Sequence, residues 1–225
     1  MEDLLLRRRA MMNTDYPEPY VSDGLVFHLD GICKGSDSNR WTSLVGNAYF
    51  TLNSSISTVE NNAVVVNGTG PLSGTNAMVI PATTGTIELC GQILTPVTTG
   101  FLFSSNNGSS NKPLSVVKYS NGFMYSYARF TNNCYNFDNF DTIIASPFSV
   151  SMNGLTGLLN GVSYTSMTSN GYNNTPFYIG AKSGASYATN ARIFSIRMYN
   201  RQLSQSEMLH NLAVDNKRFS LGLNL

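Results

Sequence analysis

What most constrains this chain is a succession of short alternating segments separated by Asn-Gly pairs. In the second half, FSVSM at 148–152 is followed by Asn153-Gly154, LTGLL, Asn160-Gly161 and then VSYTSM. An Asn-Gly pair between apolar runs favours a two-residue turn with positive φ at both positions, so two consecutive hairpins are predicted. The same period of two appears early. In GLVFHLDG, residues 24–31, Leu25, Phe27 and Leu29 alternate with Val26, His28 and Asp30. After Trp41 and Leu44, a turn closing at Gly46-Asn47 leads into a second alternating run at 48–52. Further candidate strands lie at 63–66, 77–80, 85–94, 101–103, 114–119, 123–130, 177–179 and 192–199. About a dozen short strands at regular spacing predict an all-β, two-sheet antiparallel sandwich or jelly roll. No fixed period recurs along the chain, which disfavours a propeller or solenoid.

One segment departs from this pattern. In RIFSIRMYNRQLSQSEMLHNLAVDNKRF, residues 192–219, Phe194, Ile196 and Met198 alternate with Ser195, Arg197 and Tyr199, as in a strand with one buried face. Ser204 and Glu207 then stand at capping-box spacing, flanked by Leu203 and Met208 as a hydrophobic staple. Met208, Leu209, Leu212 and Ala213 would form the apolar stripe of a short helix over about 205–217. Lys217 and Arg218 suit the negative end of its dipole.

Composition narrows the function classes. Charged residues are 12% of the 225 residues, against roughly 25% in ordinary soluble proteins, so uncharged polar groups must carry the solubility. A formal net charge of +1 supplies no field for nucleic acid or anionic lipid, so neither a nucleic-acid partner nor membrane insertion is expected. Cys33, Cys90 and Cys134 are odd in number and widely spaced, and read as small buried hydrophobes rather than a disulfide framework. The opening MEDLLLRRRAMM places acids first and interrupts Leu4–Leu6 with Arg7, Arg8 and Arg9, the reverse of a secretory signal. The chain is therefore expected to be made in a reducing compartment, and the sequons at Asn53, Asn67, Asn107 and Asn174 are read as polar loops.

GLVFHLDG, the Trp41–Leu44 turn, the hairpin ending in Leu159-Asn160-Gly161, Phe177–Gly180 and the closing IRMYNRQLSQSE together resemble the laminin G-like, concanavalin A-like jelly rolls. The resemblance spans residues 21–219 and implies one jelly-roll domain over 21–225, closed by the terminal helix. It departs at Ala191, where many relatives carry glycine before the last strand. The head at residues 4–12 also resembles the start of structural proteins of gut bacteria and their phages.

The resemblance implies either glycoside hydrolysis or binding. Retaining hydrolases need two carboxylates about 5 Å apart, and the Glu-x-Asp-x-x-Glu strand of that branch is missing. Glu88 stands alone among apolar neighbours in TIELC, and Asp138 and Asp141 have no glutamate partner. His28 and His210 have no nucleophile elbow to serve and read as structural. Binding is the better expectation, and no catalytic residue is assigned. Sugar recognition uses aromatic faces and amide or charged side chains on the loops of a rigid scaffold. Tyr127, Arg129, Asn132, Tyr135, Asn173 and Tyr187 supply that mixture. Relatives often hold Ca²⁺ through loop oxygens, which makes Asp138 and Asp141 the candidate ligands, with Asp23, Asp30 and Asp37 as alternatives.

Residues 1–20 read as a docking arm or a flexible tail. The combined expectation is a non-enzymatic, virion-associated structural or decoration protein. It would contact other virion proteins through residues 1–20, display a lectin-like jelly roll to host glycans, and work as a homo-oligomer or within a larger assembly. A bacterial carbohydrate-binding module at the cell surface is the alternative, and a glycoside hydrolase ranks last.

Overall fold

The computed structural model describes residues 19–74, 85–95, 99–104, 115–118, 124–128, 133–137, 145–153, 156–164, 166–168, 177–181 and 187–225. The first strands are β1 (Leu25–Asp30), β2 (Arg40–Thr42), β3 (Tyr49–Thr51), β4 (Ser57–Val59), β5 (Val64–Asn67) and β6 (Leu72–Ser73). The middle of the chain adds β7 (Thr86–Ile93), β8 (Gly100–Ser104), β9 (Ser115–Lys118), β10 (Met124–Ala128) and β11 (Asn133–Phe137). Then come β12 (Phe148–Met152), β13 (Gly157–Leu159), β14 (Val162–Tyr164), β15 (Ser166–Thr168), β16 (Tyr178–Ile179) and β17 (Asn190–Tyr199). A single helix among the described residues, α1 (Gln205–Phe219), follows.

All strand pairs are antiparallel. The larger sheet runs β14-β13-β12-β7-β17-β5-β4, and β1 also pairs with β17. The ten-residue β17 has room for both partners on one edge, with β5 taking Asn190–Ile193 and β1 taking Ser195–Tyr199. Its other edge pairs with β7 along nearly its whole length. Gly31 lies where β1 gives way to β5, and a Cβ there would stand 2.2 Å from the Asn62 carbonyl oxygen. The second sheet runs β15-β11-β10-β9-β8-β16-β6, and β2 and β3 form a small hairpin beside them.

The strand period of two sorts the side chains of the larger sheet. Phe27, Leu29, Val64, Val66, Ile87, Leu89, Val150, Met152, Ile196 and Met198 enter one apolar core with Leu72, Phe103 and Ile179 of the second sheet. Trp41 and Phe50 of the small hairpin fill the same core. The fold is the two-sheet antiparallel sandwich with one C-terminal helix that the strand pattern predicts. The second Asn-Gly turn forms as expected, with φ of +50° at Asn160 and +83° at Gly161. β12 and β13 also pair as a hairpin, but Met152 pairs with Gly157, the Asn153 N–H donates to the Thr156 carbonyl, and Asn153 does not have positive φ, so the connection spans 153–156 and is not a two-residue turn at Asn153-Gly154.

Four strands, β2, β4, β6 and β11, lie outside the predicted segments. β4 and β6 are short segments of three and two residues that pair because β5 and β16 offer them an edge. β11 lies in the stretch read as a ligand loop, so Tyr135 belongs to a strand. The expected strand at 77–80 lies outside the described residues.

The helix start follows its sequence signal. Ser204 Oγ accepts from the Glu207 N–H at 3.2 Å, and Glu207 accepts from the Ser204 N–H at 2.7 Å. Leu203 and Met208 are buried in one cluster, as the staple requires. The helix extends two residues further than 217, ending at Ser220 with φ +54°. Its apolar stripe is displaced, because Met208 and Leu212 are buried while Leu209 is exposed. Asn211, Asp215 and Arg218, at i, i+4 and i+7, face the sheet instead. Tyr20 and Val21 are already part of the fold: the Tyr20 hydroxyl donates to Asp215 at 2.8 Å and the Val21 N–H to Asn211 at 3.0 Å.

Candidate functional site

Two places concentrate chemistry, one closed and one open. The closed one lies between the larger sheet and α1. The strand residues that alternate with the core, namely His28 and Asp30 on β1, Glu88 and Cys90 on β7, and Ser195, Arg197 and Tyr199 on β17, are all buried under the helix. β17 is thus covered on both faces, where its sequence predicts one. Arg197 Nε donates to Glu88 at 2.8 Å, and its two terminal nitrogens donate to Asp215 at 2.7 and 2.5 Å. The Tyr20 ring lies 4.2 Å from the guanidinium carbon, in cation–π geometry. Asn211 donates from Nδ2 to Glu88 and to the Tyr199 hydroxyl, both at 2.9 Å. Glu88, expected to be isolated, therefore receives Arg197, Asn211 and Ser151.

A second group adjoins it. Arg218 Nε donates to Asp30 at 2.7 Å, and the other Asp30 oxygen accepts the N–H groups of Ile32 and Cys33. His28 sits between the groups with neither ring nitrogen hydrogen-bonded. Burial holds its pKa down at about 4, so its 3.9 Å approach to Asp30 is not an ion pair at neutral pH. Burial also raises the Glu88 carboxyl above its usual range, against the pull of Arg197. Glu88, Arg197 and Asp215 are at most 1% exposed, which leaves no path for a substrate. The arrangement fastens the helix to the sheet.

The open site is a corner at the start of β17. Tyr187 has φ +56° and is 54% exposed. Its carbonyl accepts the Phe101 N–H of β8 at 3.0 Å, and its ring stands 6.0 Å from the Phe101 ring. Two residues on, Thr189 N–H donates to the Gly180 carbonyl at 2.7 Å, and Gly180 N–H donates to Leu102 at 3.0 Å. Left-handed backbone at a bulky residue is unfavourable, and these bonds hold it in place. Phe101 opens a register row across the second sheet: it pairs with Val117, Val117 with Tyr125, and Tyr125 with Asn136.

Of the residues expected to bind ligand, only Tyr187 has a described side-chain setting. Tyr127 pairs with Cys134 and Tyr135 with Ser126, so the two occupy neighbouring register rows rather than one. Arg129, Asn132 and Asn173 lie outside the described residues, as do Asp138 and Asp141. Of the alternative metal ligands, Asp30 is held by Arg218, Asp23 by Arg201 and Asp37 by Arg40. Among the described residues no group of three His, Cys, Asp or Glu is placed to hold a metal. The buried charged layer had a legible signal that the strand reading missed. Glu88 and Arg197 each stand at the alternate position between core residues, and the helix carries polar residues at the spacing that meets them.

The class of protein these features define is a two-sheet β-sandwich with a helix sealed onto one face. No protein-family model matches the sequence, and no curated protein matches it. Among solved structures it is similar to Trypanosoma rangeli sialidase in complex with sialic acid, with a TM-score of 0.66 and 14% identity. That match covers 96% of this chain and 38% of the sialidase. It is also similar to the receptor binding domain of botulinum neurotoxin D, with a TM-score of 0.64 and 11% identity over 87% of this chain and 53% of that one. At these identities the likeness is one of fold, and the chain spans about two-fifths to half of the proteins it resembles.

Proposed function

We propose that this sandwich is a non-catalytic glycan-binding module whose contact surface includes the Tyr187 corner. The observation that carries the reading is an exposed aromatic ring held in a left-handed backbone conformation and backed by Phe101. A rigid, half-exposed aromatic face is what stacking on the C–H surface of a sugar requires. A fold shared with a sialidase bound to sialic acid and with a receptor-binding domain supports a carbohydrate or receptor ligand. The non-catalytic part is supported by Glu88, Asp215 and Asp30, which are locked in buried ion pairs.

The finer part of the reading is display on a virion through residues 1–20. It is supported by how the chain leaves the sandwich. Pro19, Tyr20 and Val21 are each hydrogen-bonded to α1, so a pull on the preceding segment would load the buried ion network rather than peel a strand.

A glycan array tests the module, with wild type beside Tyr187→Gly. Glycine relieves the positive φ, so the variant should keep or slightly raise the urea midpoint while losing glycan retention by tenfold or so, the worth of about 1.4 kcal/mol. Equal retention by both proteins would remove Tyr187 from the site. No retained glycan on wild type would remove the lectin reading, and wild-type hydrolysis of a glycan, lost in Glu88→Gln, would remove the non-catalytic one.

A further inference from the structure

The outer flank of α1 and the β13–β14 hairpin enclose a groove of about 390 Å³. Its apolar walls are Leu209, Leu212 and Ala213 of the helix, Val162 of β14, and Leu225, with Asn160 and Asn224 at the rim. No charged side chain lines it. Val162, Leu209 and Leu225 are 59%, 37% and 63% exposed, a concentration of large aliphatic side chains in water. Scattered exposed aliphatic residues need no explanation, but a valine and two leucines gathered around one concavity make a candidate contact surface.

The described chain begins on the neighbouring flank of α1, across its exposed ridge from this groove. His210 Nε2 donates to the Pro19 carbonyl at 2.8 Å, next in sequence to Leu209. At 3.6 residues per turn, His210 and the groove residues lie on opposite flanks of α1, separated by its exposed ridge. Met12 precedes Pro19 by seven positions and Leu6 by thirteen. Seven extended residues reach about 23 Å, more than the roughly 16–19 Å half-circumference of a helix with its side chains. The segment before Pro19 is apolar in two clusters, Leu4–Leu6 and Met11-Met12, around three arginines. A groove without charge takes the leucines and methionines and leaves the arginines in water.

We propose that residues 4–12 of the same chain cross over α1 and seat their leucine and methionine side chains in this groove. Tethering at Pro19 makes the encounter intramolecular, with an effective concentration near the millimolar range, which favours the chain's own segment over a second copy. A virion partner for residues 1–20 would compete with the groove for the same side chains, although the groove contact does not depend on the glycan reading.

A benzophenone photoprobe at Leu209 of the full-length chain tests this, in an equal mixture of ¹⁴N- and ¹⁵N-labelled protein. The expected result is crosslinking to peptides containing residues 4–12 of the same isotope, at least ~fivefold above that from a probe at Val59 on the opposite sheet edge. Replacing Leu4, Leu5, Leu6, Met11 and Met12 by serine should abolish it and lower the urea midpoint, while unfolding of the sandwich stays cooperative. Crosslinks joining the two isotopes would assign the groove to a second copy and overturn the proposal. So would a Leu209 probe that reaches residues 4–12 no better than the Val59 probe does.

Discussion

His28 is the residue whose protonation the fold resists most directly. Tyr20, Asp30, Arg197, Asp215 and Arg218 surround it, and burial sets its pKa at about 4 against an ordinary 6.5. The unfolded chain therefore takes up the proton first. Stability from this group is complete above pH 6.5 and is lost as pH falls toward 4, by roughly 3 kcal/mol at 1.36 kcal/mol per unit. Glu88 acts with the opposite sign, because its raised pKa lets the folded state accept a proton more readily. Urea midpoints from pH 7.5 to 4.5 should fall more steeply for wild type than for His28→Leu, in which two unpaired buried nitrogens are also removed. Parallel curves would show that His28 contributes nothing. For Arg197→Met, loss of the shared cation leaves Glu88 and Asp215 buried, and equilibrium unfolding should report a loss of about 3–5 kcal/mol. Substituting Glu88 and Asp215 by leucine in the same chain should restore most of it.

At the scale of elements, the local signals were legible and the tertiary ones were not. Asn160-Gly161, Ser204 with Glu207, and the alternation in 24–31 and 195–199 predict their elements because the physics is carried by neighbouring residues, whereas a bulge between Ile193 and Ser195 sends Ile193 into the core and Phe194, expected beside Ile196, against Cys90 and Phe219. Ser204→Ala should cost about 1 kcal/mol by removing the acceptor for the Glu207 N–H, a loss measurable by thermal unfolding. What escaped the sequence depends on distant partners. The aromatic and amide residues of 133–137 suggest a ligand loop, yet β10 and β15 pair with both edges of β11. The alternation predicts one buried face for β17, and the burial of Arg197 on the other escapes it because the residues that cover it, Asp215 and Tyr20, come from the helix and from before β1. The candidate site was legible only at Tyr187, and even there sequence supplied the aromatic ring but not the left-handed backbone that presents it. Gly31→Ala should cost about 3 kcal/mol, the upper end for overpacking, since the added carbon meets the Asn62 backbone rather than a side chain that can swing away.

At the scale of the whole molecule, α1 is part of the interior. Deleting residues 204–225 would expose Glu88, Arg197, Asp30 and Tyr199 without their partners. The truncated chain should lose cooperative unfolding and become sensitive to limited proteolysis throughout, where a merely appended helix would leave a resistant sandwich. The position of β17 has a consequence for biosynthesis. The strand at the centre of the larger sheet is made after all three of its partners, and β1, β5 and β7 await it. While the ribosome is still adding residues 100–180, those three strands have open hydrogen-bonding edges and an incomplete core, so the sheet closes only once residues 190–199 have emerged. Such a chain depends on speed of release or on a chaperone to stay soluble.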